Sequence, residues 1–422
     1  MIYCLLTRCG ISCPEASRKD KESCPHHTKL FLTFAIIAAG LAGRSALDKI
    51  LAVRGGAELV ALWAQLSAVI EMVAAVALTG VGAGLSVLVA QTPLSGRQQL
   101  FLRRALFLGL AIAAPAAIAA AIGGWHFSSA LGGAALPRES LVLAALAGWF
   151  ALVHGLVNSF WLGQQRRGLM LALALGCAGI ALAAAAFAPR TLLMEAIIVS
   201  QALPAAVVVL VLQRVDAPRR ADDRALERYI LPGVVIGVMS PLSMLAARSL
   251  VADALSWHDS GVLQAIWRIS DWVCGFAAGV LSVLYLPRLA AAYPHPGLAP
   301  VLRDAVRRVL LPSALLLALL FAFYRPLLEA LYDPSFQAPP LAVALLFAGS
   351  LARIAAWIAL FGLYAARRTR AIAVGELLSL PLFAALAFAA GDRLTLELAG
   401  AFWLGSFVLY AAFNFWMCAR RE

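Results

Sequence analysis

Ten ionisable residues stand inside stretches that are otherwise apolar: Arg44, Asp48, Lys49, Glu71, His154, Arg248, Arg268, Asp271, Arg353 and Glu376. By insertion measurements, a charge at the centre of a membrane helix costs about 2.5–3.5 kcal/mol. Arg44, Asp48 and Lys49 together in one span would cost roughly 8–10 kcal/mol, while each Leu or Ile returns about half of one. Such residues line an interior cavity, pair with one another, or reach toward the interface. Spacing offers two local pairs, because Arg44 and Asp48 are four apart and Arg268 and Asp271 three apart. Lys49, Arg248 and Arg353 have no acidic partner within helical reach. Unpaired cations in a cavity form an anion site, and the guanidinium fork suits phosphate because it donates two parallel hydrogen bonds. Glu71 and Glu376 fit either of two roles, partners for these cations across helices or proton carriers. His154 reads as a satisfied polar residue rather than a proton relay.

The elements that must position these groups are membrane spans. The chain has 422 residues, 63% hydrophobic and 13% charged, which is too apolar for soluble domains. About 20 apolar residues cross the hydrocarbon. On that basis spans fall near 29–53, 57–90, 101–122, 139–163, 169–188, 192–212, 229–251, 259–287, 308–324, 340–365, 371–390 and 395–418. With the N-terminus inside, twenty-four of the 34 basic residues fall on cytoplasmic segments. The opposite side holds Arg54, Arg138, Arg190, Arg325 and Arg393. That asymmetry places both termini in the cytoplasm and makes the span number even. It also accounts for the net charge of +12 without a nucleic-acid partner, since the basic residues sit in short loops rather than on one stripe.

The longest connection, QRVDAPRRADDRALER (213–228), lies at the chain midpoint. It divides a six-helix bundle over 29–212 from a second over 229–422. A repeat supports the division. Shifting the chain by 204 brings LAGRSAL (41–47) onto LAARSLV (245–251), so that Arg44 meets Arg248, Ser45 meets Ser249 and Trp63 meets Trp267. A shift of 201 brings AGWFA (147–151) onto AGSLA (348–352), and Phe160, Arg166 and Arg167 onto Phe361, Arg367 and Arg368. The expected fold is all-α and polytopic, twelve helices in two pseudo-symmetric halves. Parallel repeats of this kind build alternating-access carriers with the site between the halves.

Residues 1–28 form a polar, cysteine-rich tail whose spacing C-x4-C-x3-C-x10-C-x-H-H lacks the paired knuckles of strong zinc motifs. The tail reads as disordered and cytoplasmic, and no metal or cofactor is expected. GVGAG (80–84) lacks the lysine and βαβ context of a nucleotide loop and reads as close helix packing or a bend. ADD (221–223) stands alone in a basic hinge and is discounted.

The segment RSLVADALSWHDSGVLQAIWRISDWVCGFAAGVLSVLYLPRLA (248–290) resembles the span 7–8 region of Wzx-type lipid-linked oligosaccharide flippases. The enterobacterial common antigen and O-antigen translocases are the nearest in pattern, members of the multidrug/oligosaccharidyl-lipid/polysaccharide (MOP) exporter superfamily. LDKILAVRGGAELVALWAQL (47–66) and GLYAARRTRAIAVGELLSL (362–380) carry the resemblance further. It runs from about residue 30 to 418 and omits the tail. The resemblance implies a monomeric, non-enzymatic flippase of the bacterial inner membrane. Its substrate would be an undecaprenyl-pyrophosphate-linked glycan, moved from the cytoplasmic to the periplasmic leaflet, with a polysaccharide polymerase and a chain-length regulator as partners. The matching motifs carry over Lys49, Arg248, Arg353 and Glu376 to the cavity, and with them Arg44 and Asp271, while Arg268 stands where the family varies. Two other readings stay open. A proton- or sodium-coupled multidrug antiporter of the same superfamily calls for an acid-dominated cavity, and five basic against four acidic residues tilt mildly against it. A membrane-embedded glycan polymerase or transferase calls for a sizeable outer loop, and these loops are short.

Overall fold

A computed structural model describes residues 26–92, 95–132, 137–212, 226, 230–292, 298–366 and 368–420. Most of the cysteine-rich tail, nearly all of the 213–228 connection with its ADD triplet, and Arg367 lie outside the described residues. All described elements are helical. Among the described residues, eight runs are long and apolar enough to cross a membrane, which makes this a multi-pass membrane protein.

The N-terminal helices are α1 (His26–Ala77), α2 (Ala83–Gln91), α3 (Ser95–Gly132), α4 (Arg138–Gly163), α5 (Arg167–Phe187) and α6 (Leu193–Leu212). The apolar run Phe34–Ala90 has 57 residues, about 85 Å at 1.5 Å per residue, against a hydrocarbon core of about 30 Å. It therefore crosses twice. The reversal falls at Gly55 and Gly56, inside α1, where Gly56 takes φ 70° and ψ −164°, a conformation open essentially to glycine alone. Arg54 fixes this turn, its guanidinium donating to the carbonyls of Ala185 (2.6 Å) and Ala188 (2.7 Å) at the C-terminal end of α5.

The C-terminal helices are α7 (Ile230–Ala254), α8 (Trp257–Val280), α9 (Leu286–Ala292), α10 (Leu298–Ala305), α11 (Leu311–Ala322), α12 (Tyr324–Leu331), α13 (Pro340–Ala365), α14 (Thr369–Leu377), α15 (Leu380–Ala390) and α16 (Leu396–Ala419). Four expected spans are less regular than anticipated. Single π-turns interrupt the chain at Leu78–Gly82, Leu281–Tyr285 and Val306–Leu310. The span expected over 371–390 breaks after Leu377, where Ser379 leaves helical geometry (φ −92°, ψ −115°) and proline opens α15.

The duplication shows in the backbone. Helices α4 and α13 are both 26 residues long and both follow a proline, Pro137 (φ −59°, ψ 137°) and Pro339 (φ −57°, ψ 134°). Their C-caps match too, Gln164 (φ −78°, ψ −4°) and Ala366 (φ −79°, ψ −1°). This places Arg166 opposite Arg368, each the N-cap of the next helix. The sequence register that set Arg167 on Arg368 is thus one residue off, because alanine-rich segments align almost as well when slipped.

The two groups of helices meet where α1 packs on α7 and α8. Small residues permit the approach at both ends of this seam. A Cβ at Gly261 would run into the carbonyl of Ala57, and one at Gly237 into that of Ala75. At Gly233 it would strike the backbone of Gly80, so the glycines of GVGAG serve close packing.

Candidate functional site: a charged seam between the two groups of helices

The charges gather along the contact of α1 with α7 and α8, and their partners are not the ones spacing suggests. Asp48 is 1% exposed and accepts from Nε of Arg268 at 2.6 Å, across the seam, in place of the expected pairing with Arg44. Arg44 instead lies 3.6 Å from Glu71 on the returning arm of α1. Asp271 takes Arg353 of α13 at 3.0 Å in place of Arg268. Three carboxylates and three guanidiniums thus form three cross-helix pairs. The physical reason is burial. Asp48 faces α8, where water cannot solvate it, and a strong partner must come from the element packed against it.

Two cations remain without a carboxylate at ion-pair distance among the described residues, and each reaches across the seam. Lys49 donates from Nζ to the carbonyl of Tyr332 at 2.6 Å. Asp333 follows in the loop after α12, within electrostatic reach of Lys49. Its carboxyl is held below the usual range, first by the Ser335 amide it accepts at 3.0 Å. Arg248 donates from Nη1 to the carbonyl of Ala64 at 2.9 Å and lies 6.0 Å from the ring centre of Trp267. Its buried Nε has no partner among the described residues. Arg248 therefore holds a donor in reserve.

The serines beside the repeated arginines also bridge the seam. Ser45 accepts from Nε1 of Trp272 at 2.9 Å, and Ser249 accepts from Nε2 of Gln65 at 2.8 Å. Each is met by a donor from the opposite group of helices. Arg353 stacks on Trp357 (4.5 Å) and approaches Phe407 (6.0 Å). From there an aromatic chain runs through Trp403 to Trp267, whose rings lie 5.0 Å apart. Glu376, for which a cation partner's and a proton carrier's role both stood open, accepts from the Tyr410 hydroxyl at 2.7 Å, just before the break after α14. His154 lies 3.1 Å from Nδ2 of Asn158 and 3.8 Å from Sγ of Cys177, within the N-terminal helices. A groove of about 600 Å³ between α5 and α6 is lined chiefly by Ile180, Ala183, Leu192 and Val199 and involves none of the seam charges.

Gln65, Trp272, Trp357, Phe407 and Tyr410 belong to this site and escaped the sequence reading. Gln65 carried a usable signal as a polar amide inside an apolar run. The aromatics carried none, because Trp and Phe are ordinary in membrane helices.

The sequence matches no known protein family and no curated protein. Its fold is nonetheless shared with solved transporters. An inward-facing multidrug resistance MATE family transporter of the MOP superfamily superposes with a TM-score of 0.69 at 14% identity, covering 92% of this chain and 97% of that one. An outward-facing multidrug resistance MATE transporter of the MOP superfamily gives 0.64 at 14% identity, covering 92% and 94%. A MOP superfamily transporter from Pyrococcus furiosus, described as having a binding pocket of reverse polarity that suggests a different function, gives 0.66 at 15% identity, covering 92% and 95%. The chain has the fold of MATE transporters of the MOP superfamily.

Proposed function

We propose that the protein is an alternating-access flippase of the bacterial inner membrane. It moves an undecaprenyl-pyrophosphate-linked oligosaccharide from the cytoplasmic to the periplasmic leaflet, as a twelve-span monomer with both termini in the cytoplasm. The observation that carries the reading is Arg248, a guanidinium on the seam with no carboxylate at ion-pair distance among the described residues and a buried Nε to spare. Its chemistry fits a phosphate oxygen. A pyrophosphate cannot enter hydrocarbon uncompensated, and fixed guanidiniums along the path lower that barrier. The polyprenyl tail stays in lipid while the headgroup passes between the two groups of helices. Neighbours solved both inward- and outward-facing support a rocking cycle for this fold.

A second reading is an antiporter for cationic drugs. It is favoured by the multidrug transporters among the structural neighbours and by Glu71, 57% exposed. The pocket of reverse polarity described for the Pyrococcus protein supports the view that this fold is not tied to one substrate charge.

Reconstitution tests the choice. Proteoliposomes loaded with a polyprenyl-diphosphate-linked glycan should show protein-dependent exposure of the sugar to a fluorescent lectin. Proton- or sodium-driven uptake of a cationic dye, with no movement of the glycan, would favour the antiporter.

A further inference from the structure

Asp48 sits where an anion would be expected. Its carboxylate is 1% exposed and 2.6 Å from Arg268, and both Arg44 and Arg248 lie within its electrostatic reach. The N-terminal side of the seam contributes Arg44, Asp48 and Glu71; the C-terminal side contributes Arg248, Arg268, Asp271 and Arg353. Joined, all three carboxylates have guanidinium partners. Parted, the first set together with Lys49 is neutral, and the second carries two net positive charges.

The helices hold alternative partners for that moment. Asp48 has Arg44 one turn back on α1, and Arg268 has Asp271 three residues on along α8. Both are unused in the joined state. Once Arg44 takes Asp48 on one side, Arg248, Arg268 and Arg353 are left to share the single carboxylate of Asp271 on the other.

We propose that the Asp48 carboxylate is an internal stand-in for a ligand diphosphate: it fills the place beside Arg268, within reach of Arg248, while the seam is joined, and the diphosphate takes that place when the seam parts. The inference rests on the anionic-substrate reading above and adds how the site is kept filled between ligands. A diphosphate that binds only the parted state draws the population toward it, and its departure returns Asp48 to Arg268.

The test is binding of inorganic pyrophosphate to the full chain in nanodiscs, with a second arm using a short prenyl diphosphate in the bilayer. Binding in both arms assigns the site to the diphosphate itself, and binding in the prenyl arm alone assigns it to a lipid headgroup; either supports the proposal. Asp48→Asn removes the competitor and should tighten binding about tenfold or more, the scale of one charged hydrogen bond. Glu71→Gln removes an equal charge from the same side, yet leaves the competitor in place. Equal gains in the two variants, or no gain in Asp48→Asn, would overturn the proposal.

Should Asp48→Asn not fold, a chain with unchanged seam charges decides. Spin labels at Phe107→Cys and Leu315→Cys, both exposed positions on opposite sides, should move to a new separation as pyrophosphate is added. An unchanged distance at saturating pyrophosphate would contradict the proposal. Glycan transport without tighter binding in Asp48→Asn would sink this inference alone. Tighter binding without glycan transport would sink the flippase reading and leave this one standing.

Discussion

Arg44 and Arg248 occupy matching places in the sequence repeat and have come to different ends. Arg44 is 60% exposed and faces Glu71; Arg248 is half-buried, leans toward Trp267 and borrows a backbone carbonyl from the opposite side. The position that the same shift of 204 makes equivalent to Glu71 is Gly275, which cannot supply a carboxylate. One duplicated arginine was thus given a partner, and the other was left with donors to spare. Ser45 and Ser249, the next residues, kept a shared role, each accepting from the opposite group of helices. The duplication kept the serines that join the seam and let the partners of the two arginines diverge.

That contrast can be broken in order of effect. Arg268→Ala strands Asp48 in a buried site and should destabilise the protein by about 3–5 kcal/mol, read as a fall in the thermal unfolding midpoint in detergent. A loss no larger than that of an exposed pair would remove Asp48 and Arg268 from the seam. Gly237→Val presses a side chain into the backbone of Ala75 and should cost about 1–3 kcal/mol in the same assay. Arg44→Ala gives up an exposed pair and should change stability by less than about 1 kcal/mol. Gly275→Glu sharpens the comparison without that cost. It puts a carboxylate at the position the repeat matches to Glu71, and should leave folding intact while suppressing glycan transport. Full transport in Gly275→Glu would mean that the missing acid is incidental.

Much of the fold was legible in the sequence, because hydrocarbon imposes length and apolarity on every span. The reversal at Gly55–Gly56 follows from that constraint. The break after α14 was missed, since Leu377 to Leu380 continue an apolar run, although Pro381 marked where a helix can end. Among the site residues, the ionisable set was readable from their cost in the membrane. Their pairing was not. Spacing along one helix favours Arg44 with Asp48 and Arg268 with Asp271, while packing buries Asp48 against α8 and hands it Arg268. Partner choice is decided by burial between helices, and periodicity within a helix carries no record of it. The stacking of Arg353 on Trp357 and the capture of Glu376 by Tyr410 have the same origin.

The central claim is that the spare guanidinium serves an anionic headgroup. It is tested most directly by comparing Arg248→Gln with Arg44→Gln in proteoliposomes that report glycan exposure by lectin binding. The account predicts that Arg248→Gln loses translocation while inserting and folding normally, and that Arg44→Gln retains most of it. Equal activity in the two variants, or undiminished translocation by Arg248→Gln, would contradict it.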